Sequence, residues 1–168
     1  MPHRTVQILS TEQVNRKITR IAHEIHEKHF ESGNVVLVGI KSMGSEVCAR
    51  IADILCDVSP LGVTRFDLEL DKEAPLSGPI RFDGLSSDIQ GKRVILVDDV
   101  LNSGRTLMYA TGYLLGFNPM SLGTVVLVDR FHRAFPIRAD YVGLTLSTNL
   151  KDHVSVELEN GGFAAYLK

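Results

Sequence analysis

Residues 94–106, which read Val-Ile-Leu-Val-Asp-Asp-Val-Leu-Asn-Ser-Gly-Arg-Thr, constrain the fold of this 168-residue chain more than any other segment. The four apolar residues at the start predict a strand that is buried on both faces. Asp98 and Asp99 follow, at the point where we expect that strand to end. A carboxylate beside buried apolar surface is costly unless it is paired, and an adjacent like charge raises the cost. The pair therefore predicts a site that binds hydroxyl groups or a metal.

A short loop of small polar residues, 102–106, follows the acid pair and leads into a helix-like run at residues 107–115. Backbone N–H groups and the helix dipole at such a helix N-terminus favour a bound phosphate. A phosphorylated sugar carries both groups: hydroxyls that the two carboxylates can bind and a phosphate that the loop can bind. The segment therefore predicts a sugar-phosphate site.

The rest of the chain alternates helix-like and strand-like patterns, which predicts a single α/β domain over residues 1–168 with a mostly parallel central sheet flanked by helices. Ser10 and Gln13 have the spacing of a capping box at the start of a first helix. Two further buried strands are predicted at residues 35–38 and 125–128. Residues 71–91 are rich in proline and glycine, which indicates a long loop or flexible lid.

Three predicted interior strands are followed by polar or glycine-rich segments. Val38 precedes a Gly-Ile-Lys-Ser-Met-Gly turn, Val97 precedes the acid pair, and Val128 precedes Asp129 and Arg130. In open α/β sheets, ligands bind outside the carboxyl ends of the strands. We therefore expect the three strand ends to line one crevice.

Composition narrows the classes of function and the compartment. The net charge of −2 argues against non-specific nucleic-acid binding. Cys48 and Cys56 are placed in a predicted helix about 12 Å apart along its axis, too far for a disulfide, which suits a reducing compartment. Residues 1–7 lack the apolar run of a signal peptide, and no apolar stretch approaches about 20 residues. We therefore expect no membrane span and a cytoplasmic location.

Residues 94–106 closely resemble the phosphoribosyl-diphosphate (PRPP) binding motif of type I phosphoribosyltransferases. Most of the chain outside residues 71–91 is similar to one branch of that family, the PyrR type, which regulates pyrimidine operons and has uracil phosphoribosyltransferase activity. The similar segments are residues 18–24, 37–41, 127–130 together with 132–133, and 136–143. The resemblance implies the fold of that family with a small hood, transfer of ribose 5-phosphate from PRPP to a nucleobase, and a homo-oligomer, either a dimer or a tetramer.

The resemblance also implies a role for each site residue. Asp98 and Asp99 would hold the ribose 2′- and 3′-hydroxyls, with Mg²⁺ bound indirectly through those hydroxyls or water. The implied diphosphate contacts are Lys41, Ser42 and Gly44. The implied 5′-phosphate contacts are Asn102, Ser103, Gly104, Arg105 and Thr106. The implied neighbours of the base are Val128, Asp129 and Arg130.

In the PyrR branch, a Thr-Arg-x-x-His stretch contacts RNA. The corresponding residues here are Thr19, Arg20 and His23, and His132, Arg133 and Arg138 match the second part of that surface. A solvated helix face is the simpler interpretation of the first cluster. For Asp129 and Arg130, the alternative is an ordinary surface ion pair. For Asp98 and Asp99, the alternative is a pair of charges at a helix N-terminus or in a loop.

The chain departs from the family pattern at four places. Asn102 stands where purine enzymes have an aspartate that can assist the base nitrogens, and its absence favours a pyrimidine or a base that needs no such help. PyrR proteins usually have tyrosine there, so Asn102 departs from that branch as well. Met43 replaces an arginine of the diphosphate turn, and Leu144 replaces a lysine near the RNA face. Residues 71–74, Asp-Lys-Glu-Ala, replace a Tyr-Arg-Asp-Asp stretch of the lid. Three hypotheses stay open: a uracil-preferring enzyme, an RNA-binding regulator, and a PRPP- or nucleotide-binding protein without turnover.

Overall fold

A computed structural model describes residues 5–168. Residues 1–4 of the segment 1–7, which is predicted not to be a signal peptide, lie outside the described residues. The helices are α1 (Thr11–His29), α2 (Met43–Val58), α3 (Ser86–Ile89) and α4 (Arg105–Leu115), with a 3₁₀ turn at Phe30–Ser32. The strands are β1 (Val6–Leu9), β2 (Asn34–Ile40), β3 (Gly62–Glu69), β4 (Arg81–Phe82), β5 (Arg93–Leu101), β6 (Ser121–Asp129), β7 (Tyr141–Thr145), β8 (Val154–Glu159) and β9 (Gly162–Leu167).

The central sheet has six strands in the order β4-β3-β2-β5-β6-β7. The neighbouring strands from β3 to β7 are parallel, and only β4 is antiparallel. The predicted α/β fold with a mostly parallel sheet is therefore confirmed. From β2 the chain moves outward to β3 on one side, and from β5 it moves outward to β6 on the other. Such a reversal of direction opens a crevice between β2 and β5 at their carboxyl ends.

The apolar run at the start of β5 is buried on both faces, as the sequence predicts. Val94 and Leu96 pack in a core with residues of α4, whereas Ile95 and Val97 pack in a second core with residues of α1 and α2. Successive side chains of a strand point to opposite faces, so a strand covered by helices on both sides must be apolar at every position.

A second sheet is antiparallel, with the order β1-β9-β8, and we call it the hood. The sequence pattern indicates strands at residues 154–158 and 163–167, and both are present. β1 pairs with β9 across almost the whole length of the chain, from Val6 to Leu167. Periodicity within a strand carries no information about such a distant partner.

Several local expectations are confirmed and one is wrong. Ser10 and Gln13 form the predicted capping box at the start of α1, and both cysteines are free. β5 does not end at Val97 but continues through both carboxylates to Leu101. Residues 71–91, predicted as a long loop or flexible lid, contain the short elements β4 and α3 between loop segments. Among the helices of residues 5–168, none is long and apolar enough to cross a bilayer.

Candidate active site

A cavity of about 510 Å³ lies at the carboxyl-terminal parts of β5 and β6, with residues of the hood strand β8 on one side. It brings together most of the predicted sugar-phosphate site. Its lining residues are Lys72, Glu73, Asp98, Asp99, Val100, Asn102, Ser103, Arg105, Thr106, Arg130, His153, Val154, Ser155 and Val156. The cavity is therefore formed by the acid pair, the following loop, the end of β6 and the start of the hood.

Lys72 supplies the counter-charge for the acid pair. Its Nζ donates a hydrogen bond to Asp98 Oδ1 at 3.0 Å and lies 3.5 Å from Asp99 Oδ1. The Asp98 side chain is only 4% exposed, and its Oδ1 also accepts a hydrogen bond from the backbone N–H of Asp99 at 2.9 Å. Lys72 is therefore the cation that balances the acid pair in this structure.

Burial and charge change the proton affinity of this group. Burial raises the pKa of the Asp98 carboxyl above its ordinary value, and the charge of Asp99 adds to the rise, whereas Lys72 opposes it. Burial alone would lower the pKa of Lys72, but the attraction of Asp98 and Asp99 outweighs burial and leaves that pKa raised. The folded chain therefore holds a proton on Asp98 more tightly than the unfolded chain does.

The loop between β5 and α4 has the conformation expected of an anion-binding turn. Gly104, the residue that precedes α4, has a φ of 86°, and a Cβ there would lie 2.8 Å from Ile137 Cγ2. The Ser103 carbonyl accepts hydrogen bonds from the N–H groups of Ala134 and Phe135 at 2.8 and 3.0 Å, which anchors the loop. Gly104 has no side chain to cap α4, and the Arg105 N–H donates to Ser103 Oγ at 3.3 Å. The next N–H groups of the first turn stay available to an anion.

The predicted diphosphate turn lies beside the acid pair but outside the cavity lining. Lys41 donates its backbone N–H to the Leu68 carbonyl at 3.0 Å, and the Lys41–Ser42 peptide bond is cis. Gly44 packs directly on β5, where a Cβ would lie 2.9 Å from the Val97 carbonyl oxygen and 3.1 Å from Asp98 Oδ1. Glycine at this position therefore allows the turn to contact the strand that carries the carboxylates.

The three predicted neighbours of the base occupy different environments. Val128 and Asp129 are buried at the end of β6, and only Arg130 lines the cavity. Asp129 accepts a hydrogen bond from the Phe131 N–H at 2.9 Å and pairs with Arg133. Arg130 bonds instead to Asn102 and to residues 148–152. Asp129 and Arg130 are therefore not the surface ion pair that the sequence left as an alternative.

The six candidate RNA contacts do not form one free surface. Thr19, Arg20 and His23 are exposed on α1, but Arg20 also donates to the Val142 and Gly143 carbonyls of β7. His132 bonds to Thr148 through Nε2, and Arg133 is held by Asp129. Arg138 is exposed, and its carbonyl accepts a hydrogen bond from Thr124.

Comparison with known proteins agrees with this geometry. Residues 5–160 match the model of the phosphoribosyl transferase domain. The chain belongs to this family. A relative from Actinobacillus pleuropneumoniae serotype 5b, named bifunctional protein PyrR, is 43% identical, with 90% of this chain and 89% of the relative covered. A protein of the same name from Chloroflexus aurantiacus is also 43% identical, with 90% of this chain and 87% of the relative covered.

Solved structures of the family share the fold. The hypoxanthine phosphoribosyltransferase of Trypanosoma cruzi superposes with a TM-score of 0.74 at 24% sequence identity, over 88% of this chain and 83% of that one. The match to the family model and the PyrR relatives confirm the predicted family and its PyrR branch, and with them the classification of the chain as a phosphoribosyltransferase.

Sequence reasoning missed two parts of the cavity wall. One is Lys72, which the sequence indicates only as part of a departure from the lid of the family. The other is the hood segment of residues 153–156. A lone lysine in a polar segment gives no signal of its own. Two adjacent buried carboxylates nevertheless require a nearby cation, and that requirement is the signal in the sequence that points to a residue such as Lys72.

Proposed function

We propose that this protein transfers ribose 5-phosphate from PRPP to a nucleobase, with uracil as the favoured base, so that UMP and diphosphate are formed. One observation carries the proposal: a pair of carboxylates and the open N-terminus of α4 line the same cavity. The carboxylates can accept hydrogen bonds from the hydroxyls of a ribose, and the helix N-terminus can bind its phosphate. Membership of the family and the PyrR relatives support the same conclusion.

The chain would act mainly by positioning and electrostatics. We propose that Asp98 and Asp99 hold the ribose 2′- and 3′-hydroxyls and favour positive charge on the sugar as the bond to diphosphate breaks. Residues 102–106 would hold the 5′-phosphate through backbone N–H groups and the hydroxyls of Ser103 and Thr106. Lys41, Ser42 and Gly44 would meet the diphosphate. The hood would exclude water from the reactive sugar.

Mg²⁺ fits this donor set as a substrate-bound ion. Within residues 5–168, no cluster of three or more His, Cys, Asp or Glu side chains could form a protein-only metal cage. Asp98 and Asp99 offer two carboxylates, and Mg²⁺ is commonly bound by one or two carboxylates together with waters and substrate phosphates. When bound, Mg²⁺ would neutralise negative charge on the leaving diphosphate.

The base would lie near the end of β6. We propose that residues 128–130 border it, mainly through backbone groups, with Arg130 as the member that reaches the cavity. Asn102 lines the same cavity and carries no charge, so it suits a base that needs no carboxylate beside its ring nitrogens. A salvage role in pyrimidine metabolism follows from that preference. The cytoplasmic location stays a prediction.

The test is a screen of free bases with PRPP and Mg²⁺, scored by diphosphate release and by the nucleotide formed. We expect UMP from uracil, with kcat/KM at least about tenfold above that for hypoxanthine or guanine. A single hydrogen bond between the site and the correct base can discriminate against another base by that factor or more. Ribose 5-phosphate in place of PRPP is the control and should give no product. PRPP binding without product from any base would instead support a ligand-binding protein, and a lack of PRPP binding would refute the proposed site.

Binding of RNA is the second candidate function, because the relatives are named bifunctional and Thr19, Arg20 and His23 are exposed on α1. We expect pyrimidine-leader RNA to bind with salt-dependent affinity, reduced about threefold or more by His23→Ala. Lys92→Ala, on a different part of the surface, is the control. Arg20→Ala is a less specific test, because Arg20 also donates hydrogen bonds to β7 and its loss would change the packing of α1 as well as any RNA contact. Affinity that is unchanged by His23→Ala would count against this function.

We also propose that the protein is a homo-oligomer, either a dimer or a tetramer. Phe30 and Phe131 are 55% and 61% exposed, and both are large apolar side chains that an interface would cover. Phe135 contributes less, because its ring packs against Tyr109 with 6.3 Å between centroids.

A further inference from the structure

Arg130 occupies an unusual position between two walls of the cavity. It is 3% exposed. Its Nη1 donates to Asn102 Oδ1 at 3.2 Å, in the loop that precedes α4. Its Nε donates to Thr148 Oγ1 at 3.1 Å, and its Nη2 donates to the carbonyls of Asn149 and Asp152 at 3.2 and 2.6 Å. The last three acceptors belong to residues 148–152, which we call the tether because they lead directly into the hood strand β8.

The tether has few other contacts with the body of the protein. His132 bonds to Thr148, and the Leu146 N–H donates to the Asp129 carbonyl at 2.8 Å just before the tether begins. The Asp152 carboxylate is used within the tether itself, where it accepts the Asn149 N–H at 2.9 Å. The tether is followed by His153, Val154, Ser155 and Val156, which line the cavity. Arg130 therefore fixes the start of the hood wall relative to the loop at residues 102–104.

Only arginine can make this set of contacts. Its guanidinium is a rigid planar fork with five N–H donors, so it reaches acceptors that lie in different directions, whereas a lysine ammonium is a single point. Because arginine can only donate, the Asn102 oxygen must face Arg130, which leaves the Asn102 amide NH₂ free to face other partners. The orientation of Asn102 is therefore set by Arg130.

The charge of Arg130 is only partly balanced within the protein. All of its hydrogen-bond acceptors are neutral oxygens, and among the described residues it forms no direct ion pair with a carboxylate. Burial lowers the pKa of Arg130, and the Asp152 carboxylate opposes that effect without reversing it. The acid pair on the far side of the cavity is already paired with Lys72. A buried cation without a directly paired counter-ion is costly, and an anionic ligand in the adjoining cavity would lower that cost.

We propose that Arg130 is a positioning residue that couples the phosphate loop to the hood: an anion held at residues 102–106 tightens the Asn102–Arg130–tether connection and orders the hood wall. Arg130 thereby acts through Asn102 and the tether rather than through contact with the reacting atoms. Coupling of this kind is reciprocal, so ordering of the hood would also strengthen binding of the anion. The kinetic part of this inference rests on the proposed phosphoribosyl transfer.

Hydrogen exchange followed by mass spectrometry tests the coupling without relying on catalysis. Peptides that cover residues 146–156 are compared in the full chain with and without PRPP and Mg²⁺. We expect PRPP to slow exchange there in the wild type, and we expect at least half of that protection to be lost in Asn102→Ala and in Arg130→Lys. Arg130→Lys keeps the charge and removes the fork. Arg50→Lys is the matched control, because Arg50 also joins a helix to the hood, through the Gly161 carbonyl at 3.2 Å, but does not line the cavity.

Kinetics provide the second measurement. Misplacement of a cavity wall by about 1 Å can cost on the order of 10²-fold in rate. We expect Arg130→Lys to lower kcat by about tenfold or more while the KM for PRPP changes by less than about threefold, and Arg130→Met, which also removes the charge, to raise that KM in addition. A merely structural role would lower the amount of folded protein and leave kcat and KM of the folded fraction unchanged.

The failure of this inference can be distinguished from the failure of the proposed function. If PRPP binds and both Arg130→Lys and Asn102→Ala keep wild-type protection and kcat, the coupling is refuted although the function stands. If PRPP does not bind any of the proteins, the function is refuted. In that case, hydrogen exchange of the two variants without ligand tests the structural part of the inference. Faster exchange at residues 146–153 in Arg130→Lys than in Arg50→Lys would support the role of Arg130 in holding the tether. Equal exchange in the two variants would refute that role.

Discussion

Asp99→Asn should reduce the release of diphosphate from PRPP by about 10²- to 10³-fold, the loss typical when one preorganised electrostatic group is removed from an active site. The Asp99 side chain lines the cavity and is 16% exposed, so an amide of the same size fits in its place without repacking the core. The amide cannot carry the negative charge that stabilises a positively charged sugar. Turnover should therefore fall while the fold is kept.

The measurement is kcat/KM for PRPP with the best base found in the screen. Asp57→Asn is the matched control, since Asp57 is exposed near the end of α2 and does not line the cavity. A thermal melt of each variant separates loss of chemistry from loss of folded protein. Activity of Asp99→Asn within about threefold of the wild type would show that Asp99 has no part in the reaction.

The core of the site could be predicted from the sequence because it is local. Residues 94–106 contain the strand, the acid pair and the loop that leads into α4, and each has a pattern that reflects a short-range physical cause. Even so, the sequence pattern ends β5 at Val97, four residues before its observed end at Leu101. Carboxylates are rare within buried strands, so a sequence pattern ends the strand at the first of them. In the structure the pairing with β2 does stop at Val97, but β6 continues to pair with β5 as far as Leu101.

The remaining walls could not be predicted because they depend on distant pairing. Lys72 reaches Asp98 across 26 positions of the chain, and the hood places residues 153–156 over the cavity through pairing with β9. Arg130 was predicted as a neighbour of the base from the family pattern. Its bonds to Asn102 and to residues 148–152 depend on where the tether runs, and no periodicity encodes that path.

Lys72→Met should make the stability of the folded chain depend more strongly on pH. In the folded chain the pKa of Asp98 is raised, first by burial and then by Asp99, and Lys72 limits the rise. A carboxyl whose pKa is higher in the folded than in the unfolded state contributes stability that is complete below its ordinary pKa of about 4 and is lost as the pH rises through the folded pKa. Without Lys72 the folded pKa rises further, so the loss continues to higher pH.

The free energy of unfolding in denaturant, measured from about pH 5 to about pH 9, tests this expectation. Because Lys72 is 38% exposed, the cost of removing it is discounted from that of a fully buried pair. We expect Lys72→Met to be less stable than the wild type by about 1–2 kcal/mol near pH 9 and by less than about 0.5 kcal/mol near pH 5. Lys168→Met, which removes the surface ion pair with Glu157, is the control and should show little difference between the two pH values. An equal loss of stability at both ends of the range would mean that Lys72 acts through packing alone and that Asp98 does not depend on it for its charge.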